Sequence, residues 1–248
     1  MVSRLLTLKI QRFHKEKDPA RWIQTFQLEP RQGMNLLEGF LRIQDEQDTS
    51  LAFRYSCRGA VCGSCAMRVE GRIVLACRTA VEGLLGRPVL IEPLPFFPVI
   101  RDLIVDMSAF FESYRKIKPY LHGLALPSQR EYRMDEAKRK EIDPYINCIL
   151  CGICFAACPA FELNKQFLGP AMLAKAYRFL QDPRDSRTDD ILKVVDTQNG
   201  VWGCKTVFNC VTVCPKEVPP TRAIVRMRGE ILRGRLASLL SRLKSLVG

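Results

Sequence analysis

The residues of this chain best suited to unusual chemistry are its cysteines, of which there are eleven in 248 residues. They fall into three sets. Cys57, Cys62, Cys65 and Cys77 have four, two and eleven residues between successive members. Cys148, Cys151, Cys154 and Cys158 are spaced by two, two and three residues and closed by Pro159. Cys204, Cys210 and Cys214 are closed by Pro215, and they overlay the second set position by position, with Val207 where Cys151 stands. The first pattern is the plant-type spacing for a [2Fe–2S] cluster. The second is the bacterial ferredoxin run, whose last cysteine serves a different cluster.

That rule implies a crossed arrangement. Cys148, Cys151, Cys154 and Cys214 make a full [4Fe–4S] site, and Cys158, Cys204 and Cys210 are left for the other. Three thiolates and a valine methyl hold a fourth iron poorly, so [3Fe–4S] is the natural product. The three ligand sets then use every cysteine. Zinc could take one C-x2-C pair, but it explains neither the proline-closed run nor its crossed partner. A Rieske centre needs two histidines near the [2Fe–2S] loop. His14 and His122 lie far from it in charged or loop contexts, and both read as surface or structural residues.

Elements must position these ligands. Leu6, Leu8 and Ile10 alternate with polar neighbours, and a second strand follows around Ile23 and Phe26, across the charged turn His14–Pro19. Residues 34–46 switch to a helical period. Gly59 and Gly63 suit a tight loop whose N–H groups approach sulfur. Residues 66–76 read as a hairpin about Gly71 that returns Cys77 to that loop, and Val89–Ile91 as a last strand. Three prolines in 93–98 mark a boundary, giving expected domains 1–98 and 99–248. In the second, residues 99–117 read as a helix carrying Ile100, Leu103, Ile104, Met107, Phe110, Phe111 and Tyr114 on one side. After a loop, a short charged helix over 134–142 is ended by Asp143–Pro144. Gly169–Pro170 opens a helix to Leu180, and Thr188 caps another that Gly200 stops.

Composition narrows the partners. No secretory h-region is visible at the start, and no run approaches the roughly 18 apolar residues of a membrane span. The chain is expected to be soluble or membrane-peripheral. An odd cysteine count argues for metal rather than disulfides. The formal charge is +12, falling to about +6 if three oxidised clusters and their thiolates each carry about −2. A basic protein can meet an acidic protein, anionic lipid or nucleic acid, but nothing else here looks like a nucleic-acid module. Residues 221–248 carry seven Arg or Lys against one Glu, with Leu236, Leu239, Leu240, Leu243 and Val247 at helical spacing. They read either as a helix packed on the domain or a partner, or as a basic amphipathic helix on a membrane surface.

The order of these motifs, with Ser56–Cys65, Gly169–Ala171, Tyr177–Leu180, Gln198–Trp202 and Asn209–Lys216, resembles the iron–sulfur subunit of the succinate dehydrogenase and fumarate reductase (complex II) family over nearly the whole chain. The resemblance implies an α+β architecture, with an N-terminal β-grasp [2Fe–2S] ferredoxin domain and a C-terminal all-α dicluster domain. It also implies electron transfer between an FAD-containing flavoprotein subunit and quinone at membrane anchor subunits, through [2Fe–2S], [4Fe–4S] and [3Fe–4S] in turn. The dicarboxylate and the FAD lie on the partner. The implied location is peripheral, on the cytoplasmic face of the inner membrane or the matrix face in mitochondria. The quinone vicinity would include Pro159, Leu163, Trp202, Lys205, Val207 and Arg228. Ubiquinone-type members carry Trp in place of Leu163 and His in place of Lys205, while Trp202 is more like fumarate reductases and menaquinone-linked relatives. A soluble dicluster ferredoxin, or the electron-transfer part of a thiol-dependent fumarate reductase, is the competing class. Its relatives append a cysteine-rich segment, and no cysteine follows Cys214.

Overall fold

The computed structural model describes residues 5–16, 18–123 and 131–247. Lys17 of the charged turn and 124–130 of the expected loop lie outside them. Two compact units result: Met1–Ser108 with Ile149–Ala157, and Ala109–Cys148 with Cys158–Gly248.

The first unit is built on a mixed sheet. β1 (Leu6–His14) and β2 (Asp18–Leu28) pair antiparallel from Leu6↔Leu28 onward. The alternating Leu6, Leu8 and Ile10 are fully buried, as their period required. α1 (Leu36–Glu46) turns Leu36, Leu37, Phe40 and Ile43 inward. A capping box fixes its start: the Asn35 side chain accepts from the Glu38 N–H while Glu38 accepts from the Asn35 N–H. β3 (Ala66–Val69) and β4 (Arg72–Leu75) form the hairpin, and β5 (Pro88–Glu92) lies between β3 and β1, parallel to β1.

Residues 99–117 correct the expected helix. Val99–Arg101 (β6) and Ile104–Val105 (β7) form a tight hairpin, and β6 meets β1 at His14↔Arg101. Only Ser108–Lys116 is helical (α2). The cause is Asp102, whose φ of +46° makes the turn. Its buried carboxylate accepts the Phe13 and Ala52 N–H groups at 3.0 and 2.8 Å and lies 3.0 Å from the Arg12 guanidinium. Asp102 is thus a satisfied buried anion that ties β1 to the chain entering the first cysteine loop.

The second unit is helical. α3 (Glu136–Ile146) starts at Asp135, which caps the Lys138 N–H, and runs on through Pro144, beyond the expected stop. The short helices α4 (Ile153–Ala156, in the first unit) and α5 (Pro159–Leu163) follow. α6 (Pro170–Leu180) is the core helix, with Met172, Leu173, Ala176, Tyr177 and Phe179 buried. α7 (Thr188–Val195) has Arg187 at its N-cap and no side-chain cap, so Thr188 lies inside it. α7 ends at Asp196. Gly200 is not a left-handed stop: a Cβ there would overlap the Val195 carbonyl. α8 (Asn209–Thr212) precedes α9 (Pro220–Val247), whose first half packs Ala223, Ile224, Met227 and Ile231 against α6. Glu141 of α3 accepts from the Tyr177 hydroxyl at 2.6 Å and pairs with Arg226, which pins three helices together.

Candidate metal centres

The first cysteine set converges. Arg58, Ala60 and Gly63 take positive φ of 55°, 56° and 74°. This winding turns the Gly59, Val61 and Cys62 N–H groups onto Cys57 Sγ at 3.4, 3.2 and 3.2 Å, while the Cys57 N–H reaches Cys62 Sγ at 3.5 Å. The N–H groups of Cys62, Gly59 and Val61 bring the Cys57 thiol down to about 6, so it is largely thiolate at neutral pH. Cys65 is buried, and burial pushes its thiol up to about 12, with Cys77 and Cys62 close enough to add to the shift. The hairpin delivers Cys77 as expected. The Ala76 N–H donates to the Cys65 carbonyl at 3.0 Å, which seats Cys77 in the 3₁₀ turn Ala76–Arg78 beside Cys65. Four thiols around a loop of inward-facing N–H groups fit a [2Fe–2S] cluster, which needs thiolate ligands and hydrogen bonds to sulfur. Gly63 has a second role: a Cβ there would lie 2.7 and 2.8 Å from Cβ and Cα of Cys151.

The other two runs share one backbone mould. Counted from Cys148 and Cys204, the second residue on is left-handed in both (Leu150 at +55°, Thr206 at +57°), and so is the fourth (Gly152 at +77°, Phe208 at +62°). A four-residue helix then begins at the fifth in both, α4 at Ile153 and α8 at Asn209. The repeat proposed from spacing is therefore also a repeat of dihedral angles. Cys148 lies beside Lys175 of α6, whose half-buried ammonium donates to the Ile146 carbonyl at 3.5 Å.

Cys158, Cys204 and Cys210 gather within the second unit. Burial raises the Cys158 and Cys210 thiols; charge on Cys204 raises Cys158 further, and charge on Cys158 and Cys204 does the same for Cys210. Three neighbouring thiols, with half-exposed Val207 at the fourth place of the run, fit a three-thiolate cluster. The Thr206 N–H reaches Cys204 Sγ at 3.4 Å, and the buried Thr221 hydroxyl stands 3.4 Å from Cys210 Sγ.

The residues grouped as a quinone vicinity all lie in the second unit. Pro159 follows Cys158 and is half-buried, whereas Leu163 is 84 % exposed at the end of α5. Lys205 and Val207 are exposed in the loop after Cys204. Trp202 and Arg228 come together, with the guanidinium 5.7 Å from the ring centroid. Trp202 already donates its indole N–H to Asp196 at 2.6 Å, and Arg228 donates to the Val201 and Cys204 carbonyls at 2.6 and 2.7 Å. Arg228 thus clamps the Cys204 loop. Sequence reasoning missed Thr221, Lys175 and Phe208. Lys175 is one of two cations in α6, with Arg178, and nothing in the sequence marked it or Thr221.

Comparison with known proteins agrees with this arrangement. The family described as 2Fe-2S iron-sulfur cluster binding domain matches residues 7–112, and the 4Fe-4S dicluster domain family matches 145–218. The succinate dehydrogenase iron-sulfur subunit of Coxiella burnetii is 39 % identical over 92 % of this chain and 97 % of its own length. The fumarate reductase iron-sulfur subunit of Haemophilus influenzae is 37 % identical over 96 % of this chain and 97 % of its own. Among solved structures, a chain of the Mycobacterium smegmatis Sdh1 complex in the apo form superposes with a TM-score of 0.83 at 25 % identity, covering 95 % of this chain and 98 % of that one. With both cluster folds in this order along nearly the full length of such relatives, the chain belongs to the family of succinate dehydrogenase and fumarate reductase iron–sulfur subunits, the electron-transfer subunits of that oxidoreductase.

Proposed function

We propose that this chain carries electrons between an FAD-containing subunit that interconverts succinate and fumarate and a quinone held with membrane anchor subunits. Its ligand sets are Cys57, Cys62, Cys65 and Cys77 for [2Fe–2S]; Cys148, Cys151, Cys154 and Cys214 for [4Fe–4S]; and Cys158, Cys204 and Cys210 for [3Fe–4S]. When bound, the clusters supply one-electron storage at potentials set by ligand type, hydrogen bonding and burial. The protein's part is to hold thiolates and donors in place. The Cys57 loop supplies backbone N–H groups, Lys175 supplies a cation beside Cys148, and Arg228 fixes the carbonyls on either side of Trp202.

The observation that carries this reading is the shared mould of the two runs, with a valine where the first run has its second cysteine. Pro159, Leu163, Trp202, Lys205, Val207 and Arg228 lie beside that three-thiol set in the chain, and we assign the quinone vicinity to them. Among the described residues no helix is long and apolar enough to cross a membrane; from the family resemblance we place the chain as a peripheral subunit on the cytoplasmic or matrix face. The test is iron analysis with paramagnetic resonance on the purified complex. About nine irons per chain and an oxidised-state [3Fe–4S] signal are expected. A stable soluble form, active without quinone or anchor and with no [3Fe–4S] signal, would refute the assignment.

A further inference from the structure

The last four turns of α9 play no part in the ligand sets, and they are exposed on every side from Leu232 to Lys244. Val225, Leu232, Leu236, Leu239, Leu240 and Leu243 are each 49–57 % exposed. At 3.6 residues per turn they fall within an arc of about 100° and form a straight stripe about 27 Å long. Of the buried residues of the same helix, Ala223, Ile224, Met227 and Ile231 lie on the opposite side; Thr221, in the first turn and on the stripe's side, is covered by the Cys210 segment. The stripe is therefore not a continuation of the core face.

The borders of the arc carry charge of one sign. Arg233 and Lys244 flank one edge and Arg242 the other, where Arg235 is already paired with Asp196 and sits over the Trp202 ring. Ser238, Ser241, Gly234 and Ala237 occupy the side facing away. No Asp or Glu follows Glu230. An apolar arc bounded on both edges by long cations, with small polar residues behind it, is the cross-section of a helix lying in a membrane interface. There the leucines enter the acyl boundary and the cations reach the phosphate level. An acidic protein groove is the alternative occupant, and the vesicle test below separates the two.

We propose that the C-terminal half of α9 docks on an anionic lipid surface, lying in its plane. This goes beyond the electron-carrier reading and gives the subunit a lipid contact of its own, independent of any anchor protein. The test is flotation of the purified, cluster-loaded full-length chain with vesicles of phosphatidylcholine alone, or with about 30 % phosphatidylglycerol added. Binding to the anionic vesicles, with little to the neutral ones and a decline as salt rises, is expected. The triple substitution Arg233→Gln, Arg242→Gln and Lys244→Gln should weaken that binding about a hundredfold. Leu239→Asn with Leu243→Asn should weaken it at least tenfold. In both variants the three cluster signals should be unchanged, which separates this proposal from the electron-carrier reading. Equal binding to neutral vesicles, full binding by both variants, or binding only when anchor subunits are present would overturn it and assign the stripe to another partner.

Discussion

Two stretches of this chain have nearly the same backbone and different contents. In the run from Cys148, the residue three positions on is Cys151, packed against Gly63, and the next is Gly152. In the run from Cys204 the same places hold Val207, half-exposed, and Phe208, also exposed, at a positive φ that a bulky side chain rarely adopts. The mould is therefore the same whether a cysteine or a valine stands at this place. The left-handed residues turn N–H groups toward sulfur, as Thr206 does toward Cys204, and this requirement holds whether three thiolates or four are present. What differs is what stands on the mould: a fourth ligand held by neighbouring backbone in one run, an open apolar surface in the other.

The sharpest way to break the first side of this comparison is Gly63→Ala. Its Cβ would meet backbone and Cβ of Cys151, neither of which can swing aside, at a φ of +74°. Overpacking and the left-handed penalty together should cost about 3–4 kcal/mol. The [2Fe–2S] signal should be lost, and the [4Fe–4S] signal disturbed through Cys151. Gly71→Ala is the control: it has a similar φ of +76° with nothing within 4 Å, so a loss of only about 1 kcal/mol is expected in denaturant unfolding. Equal losses at the two sites would show that the close approach to Cys151 carries no weight.

The second side is tested by Val207→Cys. With the mould already present, the new thiol should convert the three-thiolate cluster toward [4Fe–4S]. Iron should rise from about nine to about ten per chain, and the oxidised-state signal should fall. An unchanged spectrum in a folded variant would sink the crossed-ligand scheme.

Much of this was legible before any coordinates. The cysteine spacings carry the two cluster folds, because each pattern is a geometric requirement of thiolates around a cluster. The hairpin at Gly71 and the helix opening at Gly169–Pro170 followed from turn and cap chemistry. The expected helix over 99–117 fails because the turn at Asp102 depends on a buried anion satisfied by two N–H groups and Arg12, which no helical spacing of apolar residues reveals. Asp143–Pro144 reads as a stop, yet the preceding helix runs through it to Ile146. Thr221 and Lys175 were invisible, since they come to Cys210 and Cys148 only through the packing of α9 and α6, which no local pattern encodes.

A smaller effect is expected where the runs differ by one side chain on equal dihedrals. Phe208→Gly removes a left-handed penalty of about 1–2 kcal/mol and adds unfolded-state freedom of about 0.4–1 kcal/mol. A net gain of no more than about 1 kcal/mol should appear as a shifted unfolding midpoint. The reciprocal Gly152→Ala should lose about 1–2 kcal/mol, because the Met107 methyl must also move from 2.8 Å. If Phe208→Gly is instead destabilising, the part of the Phe208 ring that the chain itself covers outweighs the left-handed penalty.

The smallest effect concerns potential rather than stability. Thr221 Oγ1 lies 3.4 Å from Cys210 Sγ, and its side chain is buried. A ligating thiolate has no proton to give, so the hydroxyl must be the donor. A donated hydrogen bond to sulfur favours the more negative, reduced state. Thr221→Val, which keeps the shape and removes the donor, should therefore lower the midpoint of the cluster that Cys210 serves. One hydrogen bond of about 1 kcal/mol corresponds to about 40 mV for a single electron. Thr221→Ser should restore it, which a merely structural threonine would not require. The same redox titration should leave the [4Fe–4S] midpoint in place, since its proposed ligands exclude Cys210. A shift of both midpoints together would mean that the variant has moved α9 as a whole.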